Sequence, residues 1–301
     1  MCRPTSDLVF GVLGLPKLDV AGSIPVSRSI RLKAGQLMMR IALLLVSVVA
    51  VGCGRPEPPP DPVQQRAEHL QALFEAIQPV KLANCEFERV GDKDDGGYVI
   101  CKNLVHRAES LYSYGISATD NWGCTLSARL QKPVHQYDCF NLERPQCEAL
   151  PVFHEECVGP ARETIEGRRY DTVEAQMARN GDAGKRVVMK MDVEGSEWAS
   201  FLTMPESVMR QIDQLSVEFH GVEEKDYVTA INRLRSVFHV VNVHYNNWAC
   251  ASNVMPLPAT VFEVLFVNKN LGVVEEGGIP VVPNPLDAPN NGKLQDCQGT
   301  P

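Results

Sequence analysis

The most apolar stretch of the chain, Ile41–Val51, is eleven residues long, against the roughly 20 that a helix needs to cross a bilayer. A basic excess is also missing. The net charge is −8, and general nucleic-acid binding, which depends on a basic patch to meet phosphates, is not expected. No C-x-x-C occurs among the cysteines and their spacing does not fit a structural zinc site. A complete G-x-G-x-x-G is absent, so the dinucleotide fingerprint is lacking. No internal repeat is found, which argues against a solenoid or propeller. What the chain does have is an ordinary globular composition, 44% apolar and 22% charged over 301 residues, enough for a sizeable core.

The short apolar stretch has a reading of its own. Arg40–Cys53 runs RIALLLVSVVAVGC, a positive residue, an apolar core and small residues before a cysteine, which is the layout of a signal peptide. Ala50-Val51-Gly52-Cys53 resembles a bacterial lipobox, although Ala50 stands where Leu or Val is usual. The expectation is an exported, periplasmic lipoprotein, held at the membrane by a lipid on Cys53. Residues 38–53 are then the signal segment, and 54–62, rich in proline, an extended tether. Residues 1–37 show no usable periodicity and read as an over-extended start, with Met38 or Met39 as the true beginning. The eight cysteines beyond Cys53 allow up to four disulfides in an oxidising compartment. Cys85 and Cys101 flank an apparent hairpin and are the expected pair; the others are open.

Periodicity gives the organisation of residues 63–290, followed by an irregular tail at 291–301. Asp61-Pro62 suits a helix start, and Ala67, Leu70, Phe74 and Ile77 fall on one face. CEFERVGDKDDGGYVIC, 85–101, reads as two strands about a turn at Asp94–Gly97. Strands are expected at Ser110–Ile116, Val134–Cys139, Val152–Val158, Arg186–Val193, Gln214–His220, His239–Tyr245 and Thr260–Asn268. Helices are expected near 120–131, 171–180 (a capping box at Asp171–Glu174), 195–211 and 223–236. This alternation predicts a mostly parallel sheet with helices on both faces, ending in an antiparallel pair.

In such a sheet ligands gather at the carboxyl ends of the strands. The first core strand ends Tyr114-Gly115-Ile116-Ser117, where Gly115 permits close backbone approach. Asp138 follows 23 residues later, where a ribose diol is commonly held by a carboxylate. Lys190-Met191-Asp192-Val193-Glu194-Gly195-Ser196-Glu197-Trp198 follows another strand. Asp192 and Glu194 share a face if that strand stays extended, as do Glu218 and His220 on the next. Charges clustered at one sheet edge mark a candidate site. His220 is the first candidate for a general base, since an ordinary imidazole accepts a proton near neutrality, and Glu194 the second. Asp192, Glu194 and Glu218 form an oxygen-rich set suited to a divalent cation. Asn246 and Asn247 are placed to orient a polar acceptor.

DVEGSEW after a strand resembles the D-x-E-G-x-E signature of FkbM-type and related S-adenosylmethionine-dependent methyltransferases. RVGDKDDGGYVIC, LYSYGIS, VHQYDCF, KMDVEGSEW, LSVEFHG and HYNNWAC…FEVLFVN are similar, in order, to the methyltransferase-like branch of that group, over roughly residues 80–290. The resemblance implies a Rossmann-like class I fold with a seven-stranded sheet and S-adenosylmethionine across the first two strand ends. Gly115 and Ser117 would face its methionine part, Asp138 its ribose, and Asp192 with Glu194 the methyl group and the acceptor, a sugar or other small polar molecule. Ser117-Ala118-Thr119-Asp120 departs from the pattern, which often has a second glycine there. Two other readings stand beside it: an exported binding protein that keeps the fold without catalysis, and a metal-assisted hydrolase built on the carboxylate–histidine cluster.

Overall fold

The computed structural model describes residues 61–297. The signal segment, Cys53 and nearly all of the proline-rich tether lie outside the described residues. Among the described residues no helix is long and apolar enough to cross a membrane.

Helix α1 (Pro62–Ala76) starts where Asp61 accepts the amide of Val63, and it buries Leu70, Leu73 and Ala76. Strands β1 (Phe87–Gly91) and β2 (Gly97–Cys101) form an antiparallel hairpin. Then come β3 (Ser110–Tyr114), α2 (Asn121–Leu130), β4 (Val134–Asp138), β5 (Pro151–Glu155) and β6 (Cys157–Val158). They are followed by β7 (Glu163–Ile165), β8 (Arg168–Asp171), α3 (Val173–Arg179), β9 (Val187–Met191), α4 (Ser196–Thr203) and α5 (Glu206–Met209). The described elements close with β10 (Ile212–His220), α6 (Asp226–Val237), β11 (Phe238–Tyr245) and β12 (Val261–Asn268).

The central sheet has seven strands in the order β11-β12-β10-β9-β3-β4-β5. Neighbours from β10 to β5 are parallel, while β12 runs antiparallel to both β10 and β11. The protein is therefore α/β with a mostly parallel seven-stranded sheet. The expected antiparallel pair at the end of the sheet is β11 with β12. The reversed strand is β12, and it lies one place inside the edge. Helix α6 carries the chain past a gap one strand wide, and the loop 246–260 lets β12 return into that gap, where seven of its eight residues are buried.

Alternate residues of the central strands face opposite layers. Tyr112, Tyr114, Met189, Met191, Leu215 and Val217 pack with α1, α3, α4 and α6. Leu111, Val134 and Val188 pack with Trp122 and Leu126 of α2 and with Val90, Tyr98 and Ile100 of the hairpin. The hairpin thus roofs the sheet on one side and brings Tyr98 over its carboxyl edge.

Three other expectations are adjusted. Val152–Val158 is two strands, because β6 leaves the main sheet and pairs with β8 in a three-stranded sheet, β6-β8-β7. Thr172, not Asp171, caps α3, its hydroxyl accepting the amide of Ala175; Asp171 ends β8 and binds Arg162 and Arg179. The single helix expected at 195–211 breaks at Met204-Pro205 into α4 and α5, since proline lacks the amide that would continue the ladder. Cys85 pairs with Cys101 as expected, and the remaining disulfides are Cys124–Cys147, Cys139–Cys157 and Cys250–Cys297.

Candidate functional site

Strands β3, β4 and β9 end side by side, and a cavity of ≈ 360 Å³ opens over their carboxyl ends. Its walls include Tyr114, Gly115, Ser117, Asp138, Asp192 and Glu194. A smaller, polar cavity of ≈ 130 Å³ lies beside it, between the hairpin turn and the start of α2. Asp92, Asp95, Asp120, Trp122 and Lys190 line the small one, and Gly115 and Asp192 belong to both.

Gly115 is required by its own chain. It has φ +71°, and a Cβ there would stand 1.6 Å from the carbonyl oxygen of Asp192. The glycine lets the ends of β3 and β9 touch, and that contact is the floor where the cavities meet. Asp138 lies on the wall of the large cavity, yet its carboxylate is fully engaged. One oxygen accepts the amides of Ile116 (3.2 Å) and Ser117 (2.9 Å), the other those of Phe140 (2.8 Å) and Asn141 (2.9 Å). A carboxylate offers about four lone-pair positions, so a ribose diol finds none free. Asp138 fixes the backbone of the two loops that form the pocket, and Ser117 contributes an amide to that clamp from a left-handed conformation, φ 43°.

Strand β9 stops at Met191, so Asp192 and Glu194 do not share an extended face. Glu194 has φ 54° and Gly195 φ 109°, and this left-handed turn brings Glu194 back toward the neighbouring strand. The result still joins the predicted groups: Nε2 of His220 lies 3.3 Å from Glu194 and 3.9 Å from Asp192. Glu218 is corrected as a candidate cation ligand. It is buried behind the cluster, accepting Nδ2 of Asn246 (2.6 Å) and the hydroxyl of Tyr98 (3.4 Å). Burial, then the charges of Asp192 and Glu263, raise its pKa well above the ordinary range.

His220, the expected general base, stands among carboxylates that favour its charged form. Burial works against its charged form, but the hydrogen bond and charge of Glu197, with Glu218 and Asp192, prevail and raise its pKa to about 9. Without a further ligand these carboxylates favour the imidazolium, which has no lone pair to accept a proton. Lys190 is also buried and charged: burial opposes the ammonium, and Asp192 and Asp120 outweigh it. Its Nζ donates to the carbonyl of Gly115 (2.7 Å) and lies 3.2 Å from Asp192.

Asn246 and Asn247 face inward. Asn246 supports Glu218, and Asn247 exchanges hydrogen bonds with the backbone of Asn291. Sequence reasoning assigned no role to Tyr98, Lys190 or Glu197. Glu197 stands in the quoted motif, and a glutamate in the first turn of a largely apolar helix was the available signal. Tyr98 gave none, since its position depends on how the hairpin folds over the sheet. Compared with known proteins, the chain matches no family model and no curated protein sequence.

Proposed function

We propose that the protein is an S-adenosylmethionine-dependent methyltransferase acting on an oxygen of a sugar or other small polar acceptor. The reading rests first on the bipartite cavity. A chamber within the ordinary range for small-molecule sites adjoins a small polar one, and they meet at Gly115 and Asp192. This suits a ligand with a nucleoside at one end and a zwitterionic tail at the other. The small chamber has groups for both charges of such a tail. Carboxylates of Asp92, Asp95 and Asp192 suit an ammonium. For a carboxylate there are the first-turn amides of α2 that Asp120 does not cap, since its side chain accepts only that of Gly123, and the indole N–H of Trp122, 1% exposed and without a hydrogen-bond partner. The sheet order supports the same reading, with one reversed strand inserted beside the last parallel one, compatible with the Rossmann-like class I sheet that the resemblance implies.

Bound there, the cofactor supplies an electrophilic methyl group on sulfur. The chain's own part is mainly positioning, which provides much of the rate in a transfer between two held groups. Gly115 and Asp192 fix the floor, Lys190 holds Asp192 in place, and Asp138 shapes the loops. Glu194, whose side chain is open to solvent on the wall of the large cavity, is the group placed to take the acceptor proton. The four disulfides support export to an oxidising compartment, and a membrane tether through Cys53 belongs to the same proposal.

One observation favours the alternative of a binding protein without catalysis, namely the engagement of Asp138 by four amides. Calorimetric titration of the full-length protein separates the readings. S-adenosylmethionine and S-adenosylhomocysteine are expected to bind in the micromolar range. Methylthioadenosine, which lacks the amino-acid tail, is expected to bind at least about ten-fold more weakly, a loss of roughly 1.4 kcal/mol. Absence of heat from all three, in protein that unfolds cooperatively, overturns the proposal in favour of the binding protein.

A further inference from the structure

Three donor atoms converge where β9 and β10 end: Oδ1 of Asp192, Oε2 of Glu194 and Nε2 of His220. One ligand atom from each of these residues lies within 4.8 Å of the others. Groups outside the triad aim two of them. Glu197, fully buried, places Oε1 3.1 Å from Nδ1 of His220 and accepts the backbone amide of the same residue, while its other oxygen accepts the amide of Gly195. A carboxylate behind one ring nitrogen keeps the proton on that nitrogen and presents the other as a ligand, an arrangement common at metal-binding histidines. Asp192 is held in a similar way. Its Oδ2 takes the Tyr98 hydroxyl at 3.1 Å and Lys190 Nζ at 3.2 Å, which leaves Oδ1 on the side of His220. Glu194 is 86% exposed and still turns toward the ring.

We propose that Asp192, Glu194 and His220 form a divalent-cation site. Two carboxylates and an imidazole favour a first-row transition ion such as Mn²⁺ or Zn²⁺ over Mg²⁺, which prefers an all-oxygen shell. Three protein ligands leave coordination positions open, and Asp192 and Glu194 both wall the large cavity, so the open side is within reach of a ligand's oxygen. The site differs from the all-carboxylate set expected from the sequence, with His220 in place of Glu218, and it does not depend on the methyl-donor reading.

The test is titration of the full-length protein with MnCl₂ or MgCl₂ in the absence of any methyl donor, followed by calorimetry and by the paramagnetic resonance of Mn²⁺. One Mn²⁺ per chain is expected in the micromolar range, with Mg²⁺ at least about ten-fold weaker. Glu197→Gln should weaken Mn²⁺ by about ten-fold without changing the stoichiometry. Glu194→Gln changes an exposed side chain that the fold does not need, and it should weaken Mn²⁺ by at least as much; His220→Ala should do the same. Folded protein that takes up no Mn²⁺, or takes it up equally well after Glu194→Gln, overturns the site and leaves His220 as an ionic partner of its carboxylates. Because no cofactor is present, this failure is distinct from a failure to bind S-adenosylmethionine.

Discussion

At the scale of the residue, the carboxyl edge of the sheet shows one side chain type used for different ends. Asp138 ends the parallel strand β4, and Asp192 follows directly after the parallel strand β9. Asp138 spends its whole acceptor capacity on four amides, whereas Asp192 keeps one oxygen toward a cluster and a cavity. Asp138→Ala is therefore expected to remove a loop clamp and not simply a ligand contact. Hydrogen bonds to charged groups are worth about 1.5–3 kcal/mol net, and losing the set should lower unfolding free energy by roughly 2–4 kcal/mol in urea denaturation. An unchanged midpoint would free Asp138 for the ribose role that the sequence suggested. His244 makes a second case. It is 4% exposed on β11, bonded to Glu263 and facing Asp296. Burial opposes its charge, but Glu263, then Asp287 and Asp296, raise its pKa to about 9. A histidine raised above its unfolded pKa of about 6.5 gives stability that is complete below that pH and is lost as pH rises through 9. The expected decline is on the order of 3 kcal/mol, followed by denaturation at fixed pH steps. In His244→Gln the decline between those pH values should be much flatter.

Elements are where the sequence was easiest and hardest to read. The alternation of apolar runs with amphipathic segments located along the chain the segments that form the central sheet, because burial leaves short runs rich in apolar residues, as in Val187–Met191 and Leu215–Phe219. It could not place β12 inside β11, since both orders bury the same residues. Nor could it divide 152–158, where the turn of β6 away from the sheet is set by pairing with β8. The site was legible as a list of groups but not as a shape. Asp192, Glu194 and His220 do meet, through a left-handed turn at Glu194 that an extended reading excluded. Disulfides give a comparison between elements. Cys139–Cys157 ties the end of β4 to β6, and both cysteines line the large cavity. Cys85–Cys101 ties the hairpin to the segment before it, away from that cavity. The bonds span 18 and 16 residues, so replacing either pair with serine should cost a similar amount, about 3 kcal/mol. Only loss of Cys139–Cys157 should weaken nucleoside binding, and equal affinities in the two variants would show that this wall does not shape the pocket.

At the scale of the whole molecule, the segment after β12 is irregular yet bound to the sheet. Its backbone at Leu271, Val273 and Glu275 bonds to Asn84, Ala83 and Lys81, and Asn290 reaches Asp95 in the hairpin turn and Glu263 in β12. Farther on, Asn291 bonds to Asn247, Asp296 faces His244, and Cys297 closes a disulfide with Cys250. The segment thus joins the hairpin, the reversed strand and the edge strand, three parts brought together only by tertiary packing. It supplies partners to polar groups that it also covers, and a buried polar group left unpaired costs about 1–3 kcal/mol. Truncation after Pro289, with Cys250→Ser to avoid a free thiol, should therefore do more than shorten a tail. Hydrogen exchange should rise along β11 and β12 and at the hairpin turn, while β3, β4 and β9 keep their protection, because their contacts lie on the far side of β10. If protection at the β11–β12 edge were unaffected, the polar contacts of the strap would be surface decoration, and the stability of the reversed strand would rest on its apolar packing alone.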